Sequence, residues 1–496
     1  MFIQLFGAVL CFIIFYWYLI KPRNLPPGPS GIPIFGYLPW LIYYSKDRSK
    51  IFDSLKKYGN IVSIRVGFSY MIILYDLDTI KEAFTVKGDQ FSGRGLKLLQ
   101  KEITHSKGII SAEGKYQRDN WRFILRSLRN MGFGKMAFEE PITESFRKMV
   151  KAIDDFSAEN PDSSMDFRQC LTEAVADNIS QIILGVKFDK KQLLFIIERM
   201  EKIQTVPPIF LMVNSFPILN IFLFFKYFKN VVGIEQFKNI RVPIQDMIKK
   251  FITNHKETFD SNNIRDFIDC YINEQPEHQS TEEESYWWDD EQIKHACTDL
   301  IAAGIGTTES TISWVLFSLA NDQDWQKKVA NEIDSVIGNE RFPSMKDLAN
   351  LPICEATILE TLRFSSLAAT GIPHTATEDS NLHEYFIPKD AIVLSYLMEV
   401  ARNKDVWPDP DNFNPAANFL NSAQNQIINR DKIIPFGVGR RSCIGESLAR
   451  MEITLFFIAL FQKYTVSLDP KFGMAKVAPL IFRILNHRVL KFQSRI

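Results

Sequence analysis

The sequence predicts a mainly α-helical fold with small β-sheets, an α+β class in which helices form most of the core. Helical spacing of apolar residues recurs in five long segments, 115–132, 165–186, 291–320, 323–338 and 350–364. Two shorter stretches, 62–74 and 385–398, place apolar or alternating runs around turn residues, as strand–turn–strand units do. No internal repeat or long low-complexity tract interrupts this pattern, and the polar stretch 257–284 is expected to form a surface segment.

The composition limits the classes of function. The chain has 496 residues, with 58 basic and 58 acidic side chains, so its net charge gives no reason to expect nucleic-acid binding. Forty phenylalanines suit an apolar interior and apolar ligands. The six cysteines are scattered without CxxC spacing, which argues against a disulfide framework or a zinc site and for a reducing compartment. The length allows several domains or one large domain.

The first 20 residues form an uncharged run of mostly apolar side chains. As a helix they would span roughly 30 Å, the thickness of a bilayer core. They have neither the basic start nor the cleavage site of a signal peptide. Lys21 and Arg23 follow the run, so the positive-inside rule places the rest of the chain in the cytosol. We expect a transmembrane signal anchor at 1–20, a stiff proline-rich hinge at 21–34 and a single domain at 35–496.

A second strongly apolar stretch covers residues 206–228. Its prolines argue against a second transmembrane helix. Two interpretations remain open: ordinary core helices, or a segment that dips into the bilayer surface and admits lipid-soluble molecules.

Residues 435–445 read Pro-Phe-Gly-Val-Gly-Arg-Arg-Ser-Cys-Ile-Gly and lead directly into a helical pattern. Cys443 is therefore expected at a helix N-terminus, where free N–H groups and the helix dipole favour a thiolate. Arg441 adds a cation suited to an anionic group. A phosphatase cradle would need an arginine at 449, where alanine stands, and a dinucleotide fingerprint would need a glycine at 442, where serine stands. The loop indicates a metal ligand or a nucleophile.

The pattern Phe436-x-x-Gly439-x-Arg441-x-Cys443-x-Gly445 resembles the haem-binding signature of the cytochrome P450 family at every defining position. The resemblance implies a cytochrome P450 fold and makes 35–496 a haem-thiolate catalytic domain. It implies that Cys443 is the axial ligand of the iron of haem b, iron protoporphyrin IX, and that Phe436, Gly439 and Arg441 bind this cofactor.

The same resemblance implies a monooxygenase of the animal microsomal type, in the endoplasmic reticulum membrane. Such an enzyme inserts one atom of O2 into a lipophilic small molecule: a steroid, a fatty acid or a xenobiotic. Its electrons come from NADPH through NADPH–cytochrome P450 reductase, with cytochrome b5 as a further candidate donor. Membrane lipid is an expected partner and nucleic acid is not.

Residues 303–308, Ala-Gly-Ile-Gly-Thr-Thr, resemble the family's oxygen-binding motif, small-Gly-x-acid-Thr-Thr. By this match Thr307 is the proton-relay threonine. Gly306 stands where the family has an acid, so Glu309, three residues further along the helix, is predicted to replace the missing carboxylate, with water as the alternative. The glycines either open a groove beside Thr307 or allow close helix packing.

Three functional hypotheses follow from this motif. Retained Thr307 favours a monooxygenase. The missing acid keeps open a haem-thiolate isomerase or dehydratase that needs no reductase. A non-catalytic membrane protein that binds haem or lipid is the third hypothesis. The substrate is not specified beyond an apolar pocket, with candidate contacts at Ile109, Ala303, Ala369 and Leu480.

Two further segments resemble supporting parts of the family's haem site. Glu360 and Arg363 match its Glu-x-x-Arg structural pair, but residues 413–419 lack the cation that normally completes it, so weaker anchoring is expected. His374 and Arg122 are expected to donate to the haem propionates. Arg122 belongs to a helix in which Gln and Trp stand at 117 and 121 in place of the family's Trp and first Arg. A docking face for an acidic redox partner is expected from Arg126, Arg129, Lys432, Arg440 and Arg450.

Overall fold

The computed structural model describes residues 21–44, 48–95, 100–160, 162–202, 229–230, 233–278, 282–477 and 482–495. Helices dominate these residues and three small sheets accompany them, which confirms the predicted mainly helical α+β class. The predicted anchor at 1–20 and the apolar stretch 206–228 lie outside the described residues, as does Leu480.

The described α-helices are numbered in chain order. They are α1 Leu38–Tyr43, α2 Arg48–Leu55, α3 Leu77–Lys81, α4 Gly114–Asn130, α5 Glu139–Glu159, α6 Arg168–Leu184, α7 Lys190–Lys202, α8 Ile234–Glu257, α9 Phe267–Glu274, α10 Glu282–Trp287, α11 Asp290–Asn321, α12 Gln323–Val336, α13 Pro352–Ser365, α14 Leu397–Arg402, α15 Pro415–Phe419 and α16 Glu446–Lys463. The five predicted helical segments correspond to α4, α6, α11, α12 and α13.

The central element is α11, a helix of 32 residues that begins after the N-cap Asp289, whose side chain accepts a hydrogen bond from the backbone of Gln292. Helices α6, α8, α13 and α16 pack around it. Side chains are therefore buried on most faces of α11, and its apolar residues do not form one stripe. The stretch Glu282–Asn321 is long and apolar enough for a membrane span, but most of its apolar window is buried inside the domain.

The strands are β1 Ile61–Val66, β2 Ser69–Leu74, β3 Met165–Asp166, β4 His374–Thr375, β5 Ser380–Leu382, β6 Tyr385–Ile387, β7 Ile392–Ser395, β8 Tyr464–Leu468 and β9 Val489–Ser494. They form sheets of order β1-β2-β7-β4, β3-β9-β8 and β5-β6. The hairpin predicted at 62–74 is present as β1 and β2. The strands predicted in 385–398 also form, but they pair with different partners: β6 with β5, and β7 with β2 and β4.

Part of the stretch predicted as a polar surface segment is a buried helix. Helix α9 begins after Asp266, whose side chain accepts from the backbone N–H of Asp269. Phe267 and Tyr271 are buried and pack against Phe123 of α4. The helix has only two turns, too few for its apolar spacing to stand out among the polar residues around it.

The predicted hinge lies against the first sheet along part of its length. The backbone N–H of Ser63 donates to Pro27 O at 2.9 Å, and the Ser63 hydroxyl donates to Pro26 O at 2.6 Å. A Cβ on Gly28 would lie 1.8 Å from Ser63 O, so only glycine permits this approach. The chain from Pro26 onward is therefore attached to the domain.

A carboxyl group is buried where α6 crosses α16. Glu452 is 2% exposed and accepts a hydrogen bond from Asn178 Nδ2 at 2.8 Å. Burial raises the pKa of Glu452 to about 8, and the bond from Asn178 offsets only part of that effect. The side chain is therefore protonated at neutral pH, when an isolated glutamate would be ionised.

We expect Glu452 to make stability fall as pH rises. The folded protein retains this proton between the ordinary glutamate pKa, about 4.3, and about 8, whereas the unfolded chain does not. Glu452→Gln mimics the protonated acid, so its free energy of unfolding should exceed that of wild type at pH 8, by on the order of 5 kcal/mol, and match it at pH 4. Thermal melts of both proteins at the two pH values test this. An equal difference at both values would contradict it.

Candidate active site

Cys443 lies in a loop that folds back on itself just before α16. Its backbone N–H donates to Phe436 O at 2.8 Å, and the N–H groups of Gly445 and Glu446 bond to its sulfur. The side chain is exposed, yet burial raises the pKa of the thiol, and the two N–H groups lower it only in part. Because solvent reaches this sulfur while protein surrounds it, we infer that it lines a cavity.

The N–H groups of Gly445 and Glu446 lower the pKa of the Cys443 thiol, as expected at a helix N-terminus, but the loss of hydration around the sulfur raises it by more. A metal cation at the sulfur would supply the missing positive charge, and its binding would release the thiol proton.

Two other predicted residues determine the shape of the loop. Gly439 has a φ of +75°, and a Cβ there would lie 1.8 Å from Phe84 O, so the position requires glycine. Phe436 is half-buried and packs against the core, and the guanidinium of Arg450 lies 4.9 Å from its ring centroid. Gly439 thus contributes by letting the loop lie against the backbone at Phe84.

Arg441 and Arg94 bring two guanidinium groups to the edge of this loop. Arg441 donates to the carbonyls of Ser92, Ile109 and Ala112 at 3.0, 3.4 and 2.6 Å. Arg94 is 5% exposed and donates to the carbonyls of residues 372 and 373. Burial lowers the pKa of Arg441 to about 10; burial, together with repulsion from Arg441, lowers that of Arg94 to about 9.

His374 lies beside these two arginines. Its Nδ1 lies 2.7 Å from Phe91 O and therefore donates to it, while the ring stacks on Phe84 at 3.9 Å. Burial and the charges of Arg94 and Arg441 hold the pKa of His374 well below its ordinary value. In the neutral ring Nε2 is an acceptor, so His374 donates to an anion from that nitrogen only when the anion itself draws a proton onto the ring.

The middle of α11 is a second accessible region, and we assign it to the same cavity. Ala303 is exposed and Thr307 is half-buried, although the same helix is buried before and after them. The Thr307 hydroxyl donates to Ala303 O at 2.7 Å, which leaves its oxygen free to accept. A Cβ on Gly304 would lie 3.1 Å from the side chain of Ile179, so this glycine serves close packing with α6, while Gly306 remains partly accessible.

Glu309 does not join Thr307 at the cavity. Its carboxylate is buried in an ion pair with Arg488 at 2.7 Å, and the hydroxyls of Ser310 and Ser313 donate to it. Both carboxylate oxygens are occupied, and Arg488 holds them toward the strand β9. This geometry belongs to a structural ion pair and does not fit the predicted proton relay.

Glu360 and Arg363 form a fully buried pair, as predicted. Arg363 binds both carboxylate oxygens at 2.7 and 2.8 Å and donates to several carbonyls of the segment 401–412. Asn418 Nδ2 donates to Glu360 at 3.1 Å, and the backbone N–H of Asn414 donates at 2.7 Å. A neutral amide thus occupies the place of the third cation, and the segment 413–419 is bound directly to the pair.

Arg122 is exposed and lies on the side of α4 opposite Gln117, whose Nε2 approaches Arg440 O at 3.4 Å. Five residues along a helix rotate a side chain by about 140°, which accounts for these opposite sides, and the expected role of Arg122 at the haem propionates stays a prediction. The arginine that lies buried beside Arg441 is Arg94. Sequence reasoning missed it, although an arginine between two glycines, Gly93 and Gly95, is a signal that could have identified it.

The cations of the predicted docking face do not form a patch of unpaired charge. Most of them have an acidic neighbour. Arg126 pairs with Glu274, Arg440 with Asp89, Arg450 with Glu446 and Lys432 with Asp431. Exposed pairs of this kind are weak and leave a surface of mixed charge.

One other cluster among the described residues has side chains that could ligate a metal: His255, Asp266 and Asp269. His255 Nδ1 lies 2.7 Å from Phe251 O, and its Nε2 lies 2.7 Å from Asp266. Both ring nitrogens face acceptors, so both carry protons and neither has a lone pair for a metal. Arg265 occupies the carboxylate of Asp269. The cluster is a buried ion-pair network.

A thiol at the wall of a cavity, a helix with a threonine at the opposite wall and buried cations at the edge define a haem-thiolate protein. The family model for cytochrome P450 matches residues 26–486, and the chain belongs to this family of haem-thiolate monooxygenases. It is 34% identical to cytochrome P450 2H1 of Gallus gallus, over 98% of this chain and 96% of that protein. It is 32% identical to cytochrome P450 2C8 and 33% identical to cytochrome P450 2U1, both of Homo sapiens, over 90% of this chain and 89% and 85% of theirs.

The described residues fit a haem-iron cofactor. The accessible sulfur of Cys443 matches the axial thiolate. Arg94 and Arg441 repel each other, and Glu113 is the acidic group among the described residues that most offsets this repulsion. Arg94 Nε is also buried without a hydrogen-bond partner. The two carboxylates of a haem would neutralise this excess of positive charge.

We expect Arg94 to hold the cofactor more than it holds the fold. Arg94→Gln removes a buried cation that faces another cation, so haem loss should accelerate about tenfold, while the melting temperature of the haem-free chain should not fall. Transfer of haem to excess apomyoglobin measures the loss. Arg126→Gln, which breaks an exposed pair, is the control. Equal rates for Arg94→Gln and this control would refute the assignment.

Proposed function

We propose that this protein is a membrane-bound cytochrome P450 that binds haem b and oxidises a lipophilic small molecule, a steroid, fatty acid or xenobiotic. NADPH–cytochrome P450 reductase supplies the electrons, and cytochrome b5 is an additional donor. The observation that carries this proposal is the accessible thiol of Cys443 beside two buried arginines, Arg94 and Arg441. An accessible threonine on the otherwise buried α11 supports it.

In this proposal Cys443 is the axial ligand, and Arg441 and Arg94 bind the propionates, with His374 joining them once protonated. Haem, when bound, supplies the redox chemistry that activates dioxygen. The backbone N–H groups of Gly445 and Glu446 hold the thiolate, and Phe436 O accepts from the backbone N–H of Cys443. The carbonyl contacts of Arg441 fix the edge of the site. Glu360 and Arg363 tie the segment 401–412 to α13.

Three apolar side chains that are half-buried or exposed form the apolar part of the proposed site. Ile109 lies on the segment bound by Arg441, Ala369 packs beside the first sheet, and Ala303 is exposed on α11. Aliphatic surface with few polar groups favours a lipophilic substrate through the hydrophobic effect. Thr307 is the polar group that this wall offers to a reacting oxygen.

Proton delivery in this enzyme uses Thr307 and water, without a helix carboxylate. Gly306, next to Thr307, is partly accessible and carries no side chain, and Glu309 is fully engaged by Arg488 and two serines. A hydroxyl that donates to a helix carbonyl accepts a bond from water and can pass a proton along that chain. The lack of an acid also favours a second candidate function, a haem-thiolate isomerase or dehydratase that needs no external electrons.

The topology follows from the amino end. We infer a single-pass anchor at 1–20 in the endoplasmic reticulum membrane, a connecting segment at 21–34 and a cytosolic catalytic domain at 35–496. Support comes from the uncharged run, the basic residues after it and the docking of residues 26–28 on β1.

The function is tested with the full chain in vesicles with reductase and NADPH, against steroids, fatty acids and drugs. We expect oxygenated product from at least one lipophilic class, and an absorption band near 450 nm after reduction under carbon monoxide. Cys443→Ser should bind haem but lose both. Turnover of a peroxide or dehydration substrate without reductase, and none with it, would establish the second candidate function instead.

Variants of the two acid positions test the proton route. Gly306→Glu restores a carboxylate beside Thr307, so the product formed per NADPH should rise at least twofold.

Glu309→Gln leaves Arg488 buried without its counter-charge, so the protein should lose about 3 kcal/mol of stability while its coupling stays unchanged. Coupling is measured as product over NADPH consumed. Lower coupling in Glu309→Gln at an intact haem spectrum would make Glu309 the relay after all.

A further inference from the structure

Residues 107–112, here called the strap, run between α11 and the cysteine loop. On the α11 side, Gln292 accepts from the backbone N–H of Gly108 at 2.9 Å. Asp299 Oδ2 accepts from the backbone N–H groups of Ile109 and Ile110 at 2.8 and 3.1 Å. Asp299 lies one turn before Ala303, so the strap is held where α11 begins to face the cavity.

On the other side, the strap is bound to the loop that carries the thiol. Arg441, two residues before Cys443, donates to the carbonyls of Ile109 and Ala112. The peptide groups of Ile109 therefore contact both walls, the N–H through Asp299 and the carbonyl through Arg441. Because the strap bridges the two walls, its position decides how open the cavity is on this side.

The strap does not hold this shape by its own backbone preference. His105 and Ser106, which lead into it, have φ values of +50° and +62°, in the left-handed region that side chains disfavour. Gly108 follows with a φ of +88°, and a Cβ there would lie 2.5 Å from Asp299 Oδ2. Contacts from outside, above all those to Asp299, therefore keep the strap in place.

Asp299 is in turn neutralised by a residue of α8. Arg241 Nη2 donates to Asp299 Oδ1 at 2.7 Å, and both side chains are largely buried. Arg241 also contacts His295 Nδ1 at 3.3 Å, and Gln245 donates to the same nitrogen at 3.0 Å. Burial and the neighbouring cations lower the pKa of His295 to about 3, so the ring is neutral and Nδ1 accepts both bonds.

We propose that Arg241 and Asp299 form a clamp that keeps the strap closed over the cavity and thereby sets how fast a lipophilic ligand enters and leaves. Both act as positioning residues. With the strap closed, the charge of Asp299 is balanced by Arg241 and by two backbone N–H groups. Without Arg241 the buried carboxylate is stable only when water reaches it, and water reaches it when the strap opens.

The clamp rests on the proposed function, because it presumes haem and an apolar ligand in the cavity. It also links three elements that the chemistry of the site does not otherwise connect: α8, α11 and the cysteine loop. A displacement of α8 would change the support of Asp299 and, through Ile109, the support of Arg441.

The test uses the haem-loaded full chain and 4-phenylimidazole, an azole that binds haem iron, with the Soret shift followed by stopped flow. Arg241→Met should raise the association and dissociation rate constants together, each at least fivefold, with Kd changed less than twofold. Arg241→Lys keeps the charge and should restore rates near wild type.

Asp299→Asn should raise both rates and also speed haem transfer to apomyoglobin, because it loosens the contacts of Arg441. The control is Lys463→Met, which breaks the pair between Lys463 on α16 and Asp154 on α5.

Two results would overturn the clamp. If Arg241→Met and Asp299→Asn melt lower than wild type but bind the azole at wild-type rates, the pair only stabilises the fold. If Kd changes several-fold while the association rate stays constant, Arg241 contacts the ligand directly. Azole binding requires no turnover, so these results are independent of whether the reductase assay yields an oxygenated product.

Discussion

The guanidinium of Arg441 is the contact on which the site depends. Its three donors reach the carbonyls of Ser92, Ile109 and Ala112, so it joins the region of the first sheet, the strap and the cysteine loop at one point. The same group repels Arg94 and His374. Its carbonyl contacts give the cavity a fixed edge, and the uncompensated charge makes that edge selective for an anionic partner. Rigidity and cofactor affinity therefore come from one side chain.

The chain departs from its family mainly in where it places charge. A carboxylate is missing at Gly306, while Glu309 is buried against Arg488 and stabilises the fold. The amide of Asn418 stands beside Glu360 in place of a cation. The carboxylate of Glu360 accepts from the side chain of Asn418 and from the backbone N–H of Asn414. The packing around these positions is intact, because a buried charge tolerates a neutral donor when its hydrogen bonds are complete. The expected weakening at 413–419 is thus offset by direct bonds to the buried pair.

Local signals predicted much of the fold. Long segments with helical spacing of apolar residues predicted α4, α6, α12 and α13. The pattern at 62–74 predicted a hairpin, because strand pairing across a two-residue turn is a local event. The pairing of β6 and β7 could not be read in this way. Both strands form, but β6 pairs with β5 just before it, whereas β7 pairs with the distant β2 and with β4. The side-chain period of a strand carries no information about which partner it pairs with.

The sequence by itself determined the family, the mainly helical class and the identity of the cysteine, because glycines, arginine and cysteine at fixed spacing describe one short loop whose geometry is local. Only the tertiary structure decided which charges face the cavity. In the structure Arg122 is exposed and Arg94 is buried. Glu309 forms an ion pair with Arg488, and Asp299 forms one with Arg241. The physical reason is that a charged side chain is placed by the partners that offset its desolvation, and those partners come from distant segments.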